Sequence, residues 1–302
     1  MMQSTLTYKA MMLLAAIFLG LTATIVNYLF KDGYLIQDLT NVQYGFGLII
    51  IWLLVLPKIN KLRSPHGREW MYLIGTGVTG ASAIFFYFQS LTMIPVSLSI
   101  ILLFQFSWII TVIDIIIKKK MPSFEKWIGI LFIFIGTIFA VELIGIDLSN
   151  IPLNAIGLGL LAAVLFALSL YLPEYISDDS SSLLRAAITL TVAAIVIHIL
   201  YPPTYLTSGI LTEARFIKWG LIMAVFGQVV PLLFMLISIP RIGGRMAGIL
   251  GSIELPTTVF FALIILKEEV TWMRWLGVLL ILVGIFISEG LKSRVNIPVS
   301  KG

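Results

Sequence analysis

The sequence predicts an all-α membrane protein of ten transmembrane helices, arranged as two inverted repeats of five helices each. Three observations lead to this fold class: an apolar composition, ten long apolar runs, and one segment that recurs half a chain later. Of the 302 residues, 59% are hydrophobic and 12% are charged, and the mean hydropathy is +1.05. A soluble domain carries roughly 25% charged residues. Most of this chain therefore has to face lipid.

Composition also excludes several kinds of site. The chain has no cysteine, which rules out disulfides, thiolate metal ligands and thiol nucleophiles. Its two histidines, His66 and His198, are far apart in sequence, so we expect neither a metal nor a cofactor. The net charge of +5 indicates no nucleic-acid partner, because lysine and arginine in a membrane protein report orientation first. The first apolar run has no signal-peptide cleavage site, and we expect it to be an uncleaved span.

Ten apolar runs are long enough, or nearly so, to cross a bilayer core of about 30 Å, which needs roughly 20 residues per helix. They are continuous, whereas the strands of membrane β-barrels are short and alternate in polarity. Short segments with glycine, proline or charges separate most of them. The predicted spans are 10–30, 40–57, 70–91, 93–117, 124–143, 153–175, 183–201, 215–238, 241–266 and 272–290.

One segment occurs twice. WIGILFIFIG at 127–136 and WLGVLLILVG at 275–284 share five identical positions at an offset of 148 residues, and the match extends without a gap. A weaker echo, at an offset of 147 residues, pairs LLAAIFLG at 13–20 with LLAAVLFA at 160–167. Such internal repeats are typical of transporters. We therefore predict a first repeat over residues 1–148 and a second over 149–302. Because five spans is an odd number, the second repeat is inserted upside down.

The distribution of positive charge supports this topology. If the N-terminus lies in the cytoplasm, fifteen of the twenty lysines and arginines fall in cytoplasmic segments. This bias predicts that both termini lie on the cytoplasmic side of the cell membrane. Lys118–Lys120 of the first half match 266–268 of the second, whereas Met93 and Ser97 match Arg241 and Arg245. At each pair of matched loops, the positive charges thus occur in the half whose loop is predicted to lie in the cytoplasm. The alternative is that a tryptophan and two spaced glycines only reflect the small residues of packed membrane helices.

The segment SIELPTTVFFALIILKEE, at 252–269, carries a resemblance to a known family. With the ten predicted spans, it resembles the EamA-type branch of the drug/metabolite transporter superfamily. Glu254 and Glu268 stand at the family spacing of fourteen residues, although the proline after the first glutamate comes one residue late, at Pro256, and Lys267 replaces the family's glycine. The resemblance implies a secondary transporter of small organic solutes, often an exporter of amino acids, metabolites or drugs, and not an enzyme.

Glu254 is the first candidate for the solute site, since charged groups at membrane depth usually face an interior cavity. Pro256 deprives the Ser252 carbonyl of its helical partner and favours a local break. The carboxyl group is suited to bind a substrate ammonium or to carry a coupling proton. The alternative is a glutamate that only holds helices together.

Further candidates come from polar and aromatic residues within the spans. Gln228 lies three residues before Pro231, and the pair predicts a broken helix or a proline kink with the amide facing a cavity. Gln105 and Trp108 are one turn apart and offer an amide and a ring to an organic cation or an aromatic solute, unless they only pack against a neighbouring helix. Weaker candidates are Gln89, Tyr87 and Thr22.

Two other groups of charges are assigned structural roles. Asp114 lies within one turn of Lys118, and we interpret the two as a local ion pair at the cytoplasmic surface. Arg241 and Arg245 flank two glycines at a helix start, where they fix the topology. The alternative is that they attract an anionic solute at the inner mouth.

The leading functional hypothesis is an alternating-access secondary transporter, an exporter driven by protons or by the gradient of its solute. Its partners are the lipid bilayer and a small organic solute, zwitterionic or cationic in preference to anionic. The alternatives are a passive channel, a non-transporting scaffold, and a membrane enzyme acting on lipid. No nucleotide-binding loop, catalytic motif or ion-selectivity signature occurs in the sequence. Nothing in the sequence specifies an oligomeric state.

Overall fold

The protein is described by a computed structural model covering residues 2–143, 151–177, 179–267 and 269–290. Glu268, one of the two glutamates in the family resemblance, lies outside these residues. Within them the chain forms helices and connecting turns and no strand.

The described residues form thirteen α-helices, of which six lie in the first half of the chain and seven in the second. They are α1 (Met2–Lys31), α2 (Ile36–Val55), α3 (Glu69–Leu91), α4 (Val96–Phe104), α5 (Phe106–Lys118), α6 (Phe124–Ala140), α7 (Leu153–Tyr171), α8 (Ser182–Leu200), α9 (Ala214–Ala224), α10 (Val230–Ile242), α11 (Gly244–Gly251), α12 (Glu254–Phe261) and α13 (Trp272–Gly290). Short 3₁₀ turns extend α2 over Leu56–Lys61 and α7 over Leu172–Tyr175.

In the described part of the chain, eight helical segments are long and apolar enough to cross a membrane. They coincide with predicted spans one to four and six to nine. The fifth and tenth predicted spans, at 124–143 and 272–290, form α6 and α13, and α6 has only 17 residues. The first helix begins at Met2 and not near residue 10, because its polar first turns contain no residue that breaks a helix.

Three spans depart from regular α-helix. The ninth is interrupted at Ser252 and Ile253, as Pro256 predicts. The eighth continues through a π turn at Val225–Val229, just before Pro231, so this helix does not break. The fourth is interrupted at Gln105, which the sequence did not predict. The Gln105 side chain donates from Nε2 to the Ile101 carbonyl at 2.8 Å, while its backbone N–H donates to Leu102 in a tighter turn.

The two copies of the repeated segment, α6 and α13, pack directly against each other. A Cβ atom added to Gly129 would lie 2.6 Å from the Gly284 carbonyl oxygen, and one added to Gly136 would lie 2.8 Å from that of Gly277. The reciprocal additions at Gly277 and Gly284 meet the same partners at 2.6 Å. As the numbers rise along one helix they fall along the other, so the two helices are antiparallel. Glycine is required because only the absence of Cβ lets the backbones approach this closely.

The remaining helices enclose the interior. α1 packs against α10, α11 and α12, while α7 packs against α3, α4 and α5. α2 and α8 also pack against each other. The large buried cluster around Phe106, Ile110 and Leu250 fills the space between α5, α7 and α11. A cavity remains between the helices grouped around α1 and those grouped around α7.

Candidate functional site

The interior cavity has a volume of about 420 Å³. Cavities that bind small molecules span roughly 300–1,000 Å³, so this one accommodates a small organic solute. Its wall is mainly apolar and aromatic, with a limited set of polar side chains. The polar and phenolic lining residues are Thr22, Asn27, Thr40, Gln43, Tyr44, Thr76, Tyr87, Ser169, Thr189, Gln228, Glu254 and Thr258.

The two ends of the cavity differ. At one end it is lined by Phe30, at the end of α1, and by Val96, at the start of α4; their exposed fractions are 52% and 57%. At the other end it is lined by Leu170 and Ile239, which are both buried. We call the first end the open end and the second the closed end.

Charged residues lie just beyond the closed end. Asp114 on α5, only 2% exposed, forms an ion pair with Arg245 on α11. Lys118 binds the other Asp114 oxygen at 2.7 Å and also pairs with Glu174, in the turn that follows α7. The Tyr171 hydroxyl donates to Asp114 at 3.2 Å. We call these five residues the closed-end cluster. The predicted Asp114–Lys118 pair is confirmed, and Arg245 has an ionic partner that the sequence did not predict.

The closed-end cluster also holds the backbone at the start of α11. Gly243 has a φ of +85°, in the left-handed region that favours glycine. This turn directs the Gly244 N–H to Glu174 Oε2, at 2.8 Å. Three helical elements, α5, α7 and α11, are therefore joined by charged hydrogen bonds on one side of the cavity.

Glu254 begins α12 and lines the cavity, and its side chain is partly buried. Across from it, α1 approaches closely, because a Cβ atom on Gly20 would lie 2.6 Å from the Glu254 carbonyl oxygen. Thr258 donates to the Gly20 carbonyl at 3.3 Å and Thr24 donates to the Thr258 carbonyl at 3.3 Å. These contacts between α12 and α1 do not involve the Glu254 carboxyl group.

Glu254 is the only described lining residue with a carboxylate, an ammonium, a guanidinium or an imidazole. In the described part of the chain no hydrogen bond or ion pair holds its carboxyl group. Tyr87 lies near enough to interact with it electrostatically. Among the described residues, no cluster of three His, Asp or Glu side chains forms a metal site.

A second polar group surrounds Gln228 in the π turn. Gln43 on α2 donates from Nε2 to the Gly227 carbonyl at 3.2 Å and to Gln228 Oε1 at 3.3 Å. The Tyr44 hydroxyl lies close to the Gln228 amide. Thr22, on α1, borders the same turn, since a Cβ atom on Gly227 would lie 2.8 Å from Thr22 Oγ1.

The cavity brings together four of the seven residues predicted from sequence, namely Glu254, Gln228, Tyr87 and Thr22. The Thr22 hydroxyl donates to the Phe18 carbonyl of its own helix at 2.9 Å and retains only acceptor capacity toward the cavity.

The other three residues lie outside the described cavity lining. Trp108 donates from Nε1 to Gln105 Oε1 at 2.7 Å, and Gln105 is 9% exposed, so both groups of that amide are occupied at the helix break. The side chain of Gln89 interacts with the Tyr201 hydroxyl in the loop after α8. A shared helix face was correctly predicted for Gln105 and Trp108, but that face does not turn toward the cavity.

Gln43 and Tyr44 are lining residues that the sequence analysis did not single out. The signal available was the polar run NVQY at 41–44, within a span that is otherwise apolar. No proline or glutamate marks this run, and its importance follows from its position opposite Gly227 and Gln228.

Comparison with known proteins agrees with this architecture. The sequence profile of the EamA-like transporter family matches the chain twice, at residues 7–141 and 153–289. No curated protein matches the chain closely enough to count as a relative. Twenty-nine chains of solved structures do match. One, titled "Crystal structure of protein", superposes with a TM-score of 0.76 over 97% of this chain and 99% of its own, at 16% sequence identity, which establishes likeness of fold alone.

The profile matches cover most of the chain and leave a short gap between them, at residues 142–152. Together with the eight helices of the described residues that are apolar enough to cross a bilayer, they indicate an integral membrane protein. The chain belongs to the EamA-like transporter family, within the drug/metabolite transporter superfamily.

Proposed function

We propose that the protein is a secondary transporter that moves a small organic solute across the cell membrane by alternating access. The single observation that carries the proposal is a solute-sized cavity with exposed lining residues at one end, buried lining residues at the other, and an ion-pair cluster beyond the buried end. A channel needs a path open at both ends, whereas alternating access needs one end closed at a time.

The proposed architecture is ten spans in two inverted halves, residues 1–148 and 149–302. At the sequence offset of 148, the helix break at Gln105 corresponds to Ile253, where the ninth span is interrupted as well. The pairing of helices supports the same correspondence, because α7 contacts α4 and α5 while α1 contacts α11 and α12. Antiparallel packing of α6 on α13 is what a two-fold axis in the membrane plane requires of the repeated segment.

Two broken helices at matching positions suit a transporter, since irregular backbone at membrane depth is tolerated where it borders a cavity. We propose that α4 and α12 rearrange between the two states at Gln105 and at Ser252–Ile253. Both breaks leave helix ends beside the cavity wall, where Phe104 and Glu254 are lining residues.

We propose a cationic or zwitterionic amine as the solute. Glu254 is the only group of full charge among the described lining residues, and an unpaired charge in an apolar wall is costly. A bound ammonium or a proton removes that cost. The same carboxyl group is our candidate for proton coupling. Phe88, Phe104, Phe166 and Tyr87 supply an apolar and aromatic surface for the rest of the solute.

The proposed orientation places both termini in the cytoplasm, on the basis of the fifteen lysines and arginines in the segments assigned to that side. The closed end then faces the cytoplasm and the open end faces outward. Export is our proposed direction, by resemblance to the family. Because the EamA-like family is a family of transporters, we propose no enzymatic activity.

The test is a counterflow assay in proteoliposomes with wild-type protein and Glu254→Gln. We expect labelled amine uptake to be saturable, to be accelerated by unlabelled solute on the other side, and to be lost in Glu254→Gln. The matched control is Glu213→Gln, because that glutamate lies in an exposed loop away from the cavity, where it accepts a hydrogen bond from the Tyr34 hydroxyl at 2.9 Å. Flux that does not saturate and shows no exchange would favour a passive channel and contradict the proposal.

A further inference from the structure

Pro231 leaves the Gly227 carbonyl without its α-helical partner. A proline has no N–H, and the carbonyl four residues earlier would have accepted a hydrogen bond from it. Gln43, on a different helix, donates to this carbonyl at 3.2 Å. Its other contact is Gln228 Oε1, at 3.3 Å. Gln43 therefore links a backbone defect to a side chain that lines the cavity.

This arrangement determines the direction of each amide. A backbone carbonyl oxygen only accepts hydrogen bonds, so the Gln43 atom that faces Gly227 has to be Nε2. Its second N–H then faces Gln228, and the Gln228 atom that meets it has to be the oxygen. The amide oxygen and nitrogen of an isolated glutamine can exchange places without any change in shape. Here the Gly227 carbonyl oxygen accepts the first hydrogen bond and so selects one orientation for both glutamines.

The consequence concerns what the cavity offers to a solute. With its oxygen held by Gln43, Gln228 presents Nε2, a donor of two hydrogen bonds, toward the cavity side and Tyr44. Glu254 offers only acceptors when ionised. The polar lining therefore has a donor group at Gln228 and Tyr44 and an acceptor group at Glu254.

Close packing maintains this orientation. A Cβ atom on Gly227 would lie 3.0 Å from Gln43 Nε2 and 2.8 Å from Thr22 Oγ1. Glycine at this position is what admits the Gln43 amide to the carbonyl. Gln43 also lies on α2, which packs against α8, so its backbone is held by contacts that do not involve Gln228.

We propose that Gln43 is a positioning residue that makes Gln228 a hydrogen-bond donor to the solute. The solute would then carry an acceptor group, of which a carboxylate is the strongest, in addition to the amine bound by Glu254. This inference rests on the proposed function and narrows its solute class from amines in general to amines that also carry an acceptor, such as zwitterions.

A first experiment tests the positioning role without any solute. Thermal unfolding in detergent is measured for Gln43→Met, Gln228→Met and the double variant. We expect the double variant to lower the Tm by less than the sum of the two single changes, because each single change leaves an unpaired group that the other removes. The matched control is Gln37→Met, a partly exposed glutamine of α2 that contacts Thr204, which we expect to be additive with Gln228→Met. Additive effects of Gln43→Met and Gln228→Met would overturn the inference.

A second experiment tests the solute class with two probes that differ by one carboxylate, L-phenylalanine and 2-phenylethylamine. We expect Gln43→Met to weaken binding of phenylalanine about ten-fold and to leave binding of phenylethylamine within about two-fold. Equal weakening of both probes would assign Gln43 a merely structural role and overturn the inference. If the wild-type protein binds neither probe, both the proposed function and this solute class are contradicted. A non-additive change in Tm for Gln43→Met and Gln228→Met would still establish Gln43 as the positioning residue of Gln228.

Discussion

The carboxylate of Asp114 on α5 forms an ion pair with the guanidinium of Arg245 on α11, just beyond the closed end of the cavity. At the sequence offset of 148, the counterparts of these residues are Ala262 and Ser97, neither of which is charged. The ion pair at the closed end therefore has no counterpart at the equivalent positions of the other repeat, which lie toward the open end. We infer that this connection favours the state in which the open end is accessible.

Removing the carboxylate should open the closed end. In Asp114→Asn the guanidinium of Arg245, whose side chain is 14% exposed, loses its buried ionic partner. Breaking a buried pair from one side costs about 3–5 kcal/mol, so we expect a clear fall in Tm. A cysteine placed at Ile239 should also become reactive toward a water-soluble maleimide, in a chain that has no cysteine of its own.

The matched control for this change is Asp32→Asn at the open end. Asp32 pairs with Arg215, and their side chains are 33% and 49% exposed. An exposed pair contributes about 0–1 kcal/mol, so little change in Tm is expected. Equal effects of Asp32→Asn and Asp114→Asn on stability and on maleimide labelling would contradict a special role for the closed-end cluster.

The glycine contacts between α6 and α13 predict a sharp difference between two alanine substitutions. A Cβ atom on Gly277 would lie 2.6 Å from the Gly136 carbonyl oxygen and 2.7 Å from the Ala140 Cα, both of them backbone atoms. Gly277→Ala should therefore separate the helices and destabilise the protein by about 1–3 kcal/mol. The control is Gly157→Ala within α7, where a Cβ atom meets nothing within 4 Å, and a gain of about 0.5–1 kcal/mol from helix propensity is expected. Chemical denaturation of both variants checks the prediction, which fails if Gly277→Ala is as stable as Gly157→Ala.

Arg185 is almost completely buried, and its Nη1 donates to the Leu236 carbonyl at 3.4 Å. Pro240 deprives that carbonyl of its α-helical partner. Arg185→Met should lower stability by several kcal/mol, since Ser180 also loses its hydrogen bonds with the guanidinium.

A double-mutant cycle separates the two contributions of Arg185. In Pro240→Ala the helix can bond the Leu236 carbonyl itself, so Arg185→Met should cost about 1 kcal/mol less in that background than in the wild type. Equal costs in both backgrounds would show that Arg185 does not compensate for the proline.

Glu254→Gln distinguishes a functional carboxyl group from a structural one. Because no described residue hydrogen-bonds or pairs with this carboxyl group, and the contacts between α1 and α12 are made by Gly20, Thr24 and Thr258, we expect the variant to fold normally. Its Tm should equal or exceed that of the wild type, since a group able to carry an unpaired charge has been removed from an apolar wall. A Tm lower by several degrees would favour the alternative in which Glu254 holds helices together.

Helix positions were predictable because a continuous apolar run of about 20 residues has the length and the composition of a helix that crosses a bilayer core. Sequence also identified the break before Pro256 and the irregular turn before Pro231, since a missing N–H acts locally. The break at Gln105 has a different origin, a side-chain amide that competes for a carbonyl of its own helix. Nothing in the sequence distinguishes such a glutamine from an ordinary buried one.

The composition of the site was less predictable, because the cavity is formed between helices distant in sequence. Gln105 and Trp108 were placed correctly on one helix face, but periodicity does not reveal which face borders a cavity. Gln43 was missed because its partner, the Gly227 carbonyl, lies 184 residues away along the chain. For the same reason, the Asp114–Lys118 pair was predicted from helical spacing and the pairing of Asp114 with Arg245 was not.

The central claim is that the cavity opens to one face at a time. It is tested most directly by two single-cysteine variants in sealed vesicles, Ala23→Cys in the cavity wall toward the open end and Ile239→Cys at the closed end. Without solute we expect maleimide to label position 23 only, and only from the open face. A solute that is being transported should make position 239 reactive from the opposite face while it lowers labelling at position 23. Simultaneous labelling of both positions from their respective faces without any dependence on solute would contradict alternating access.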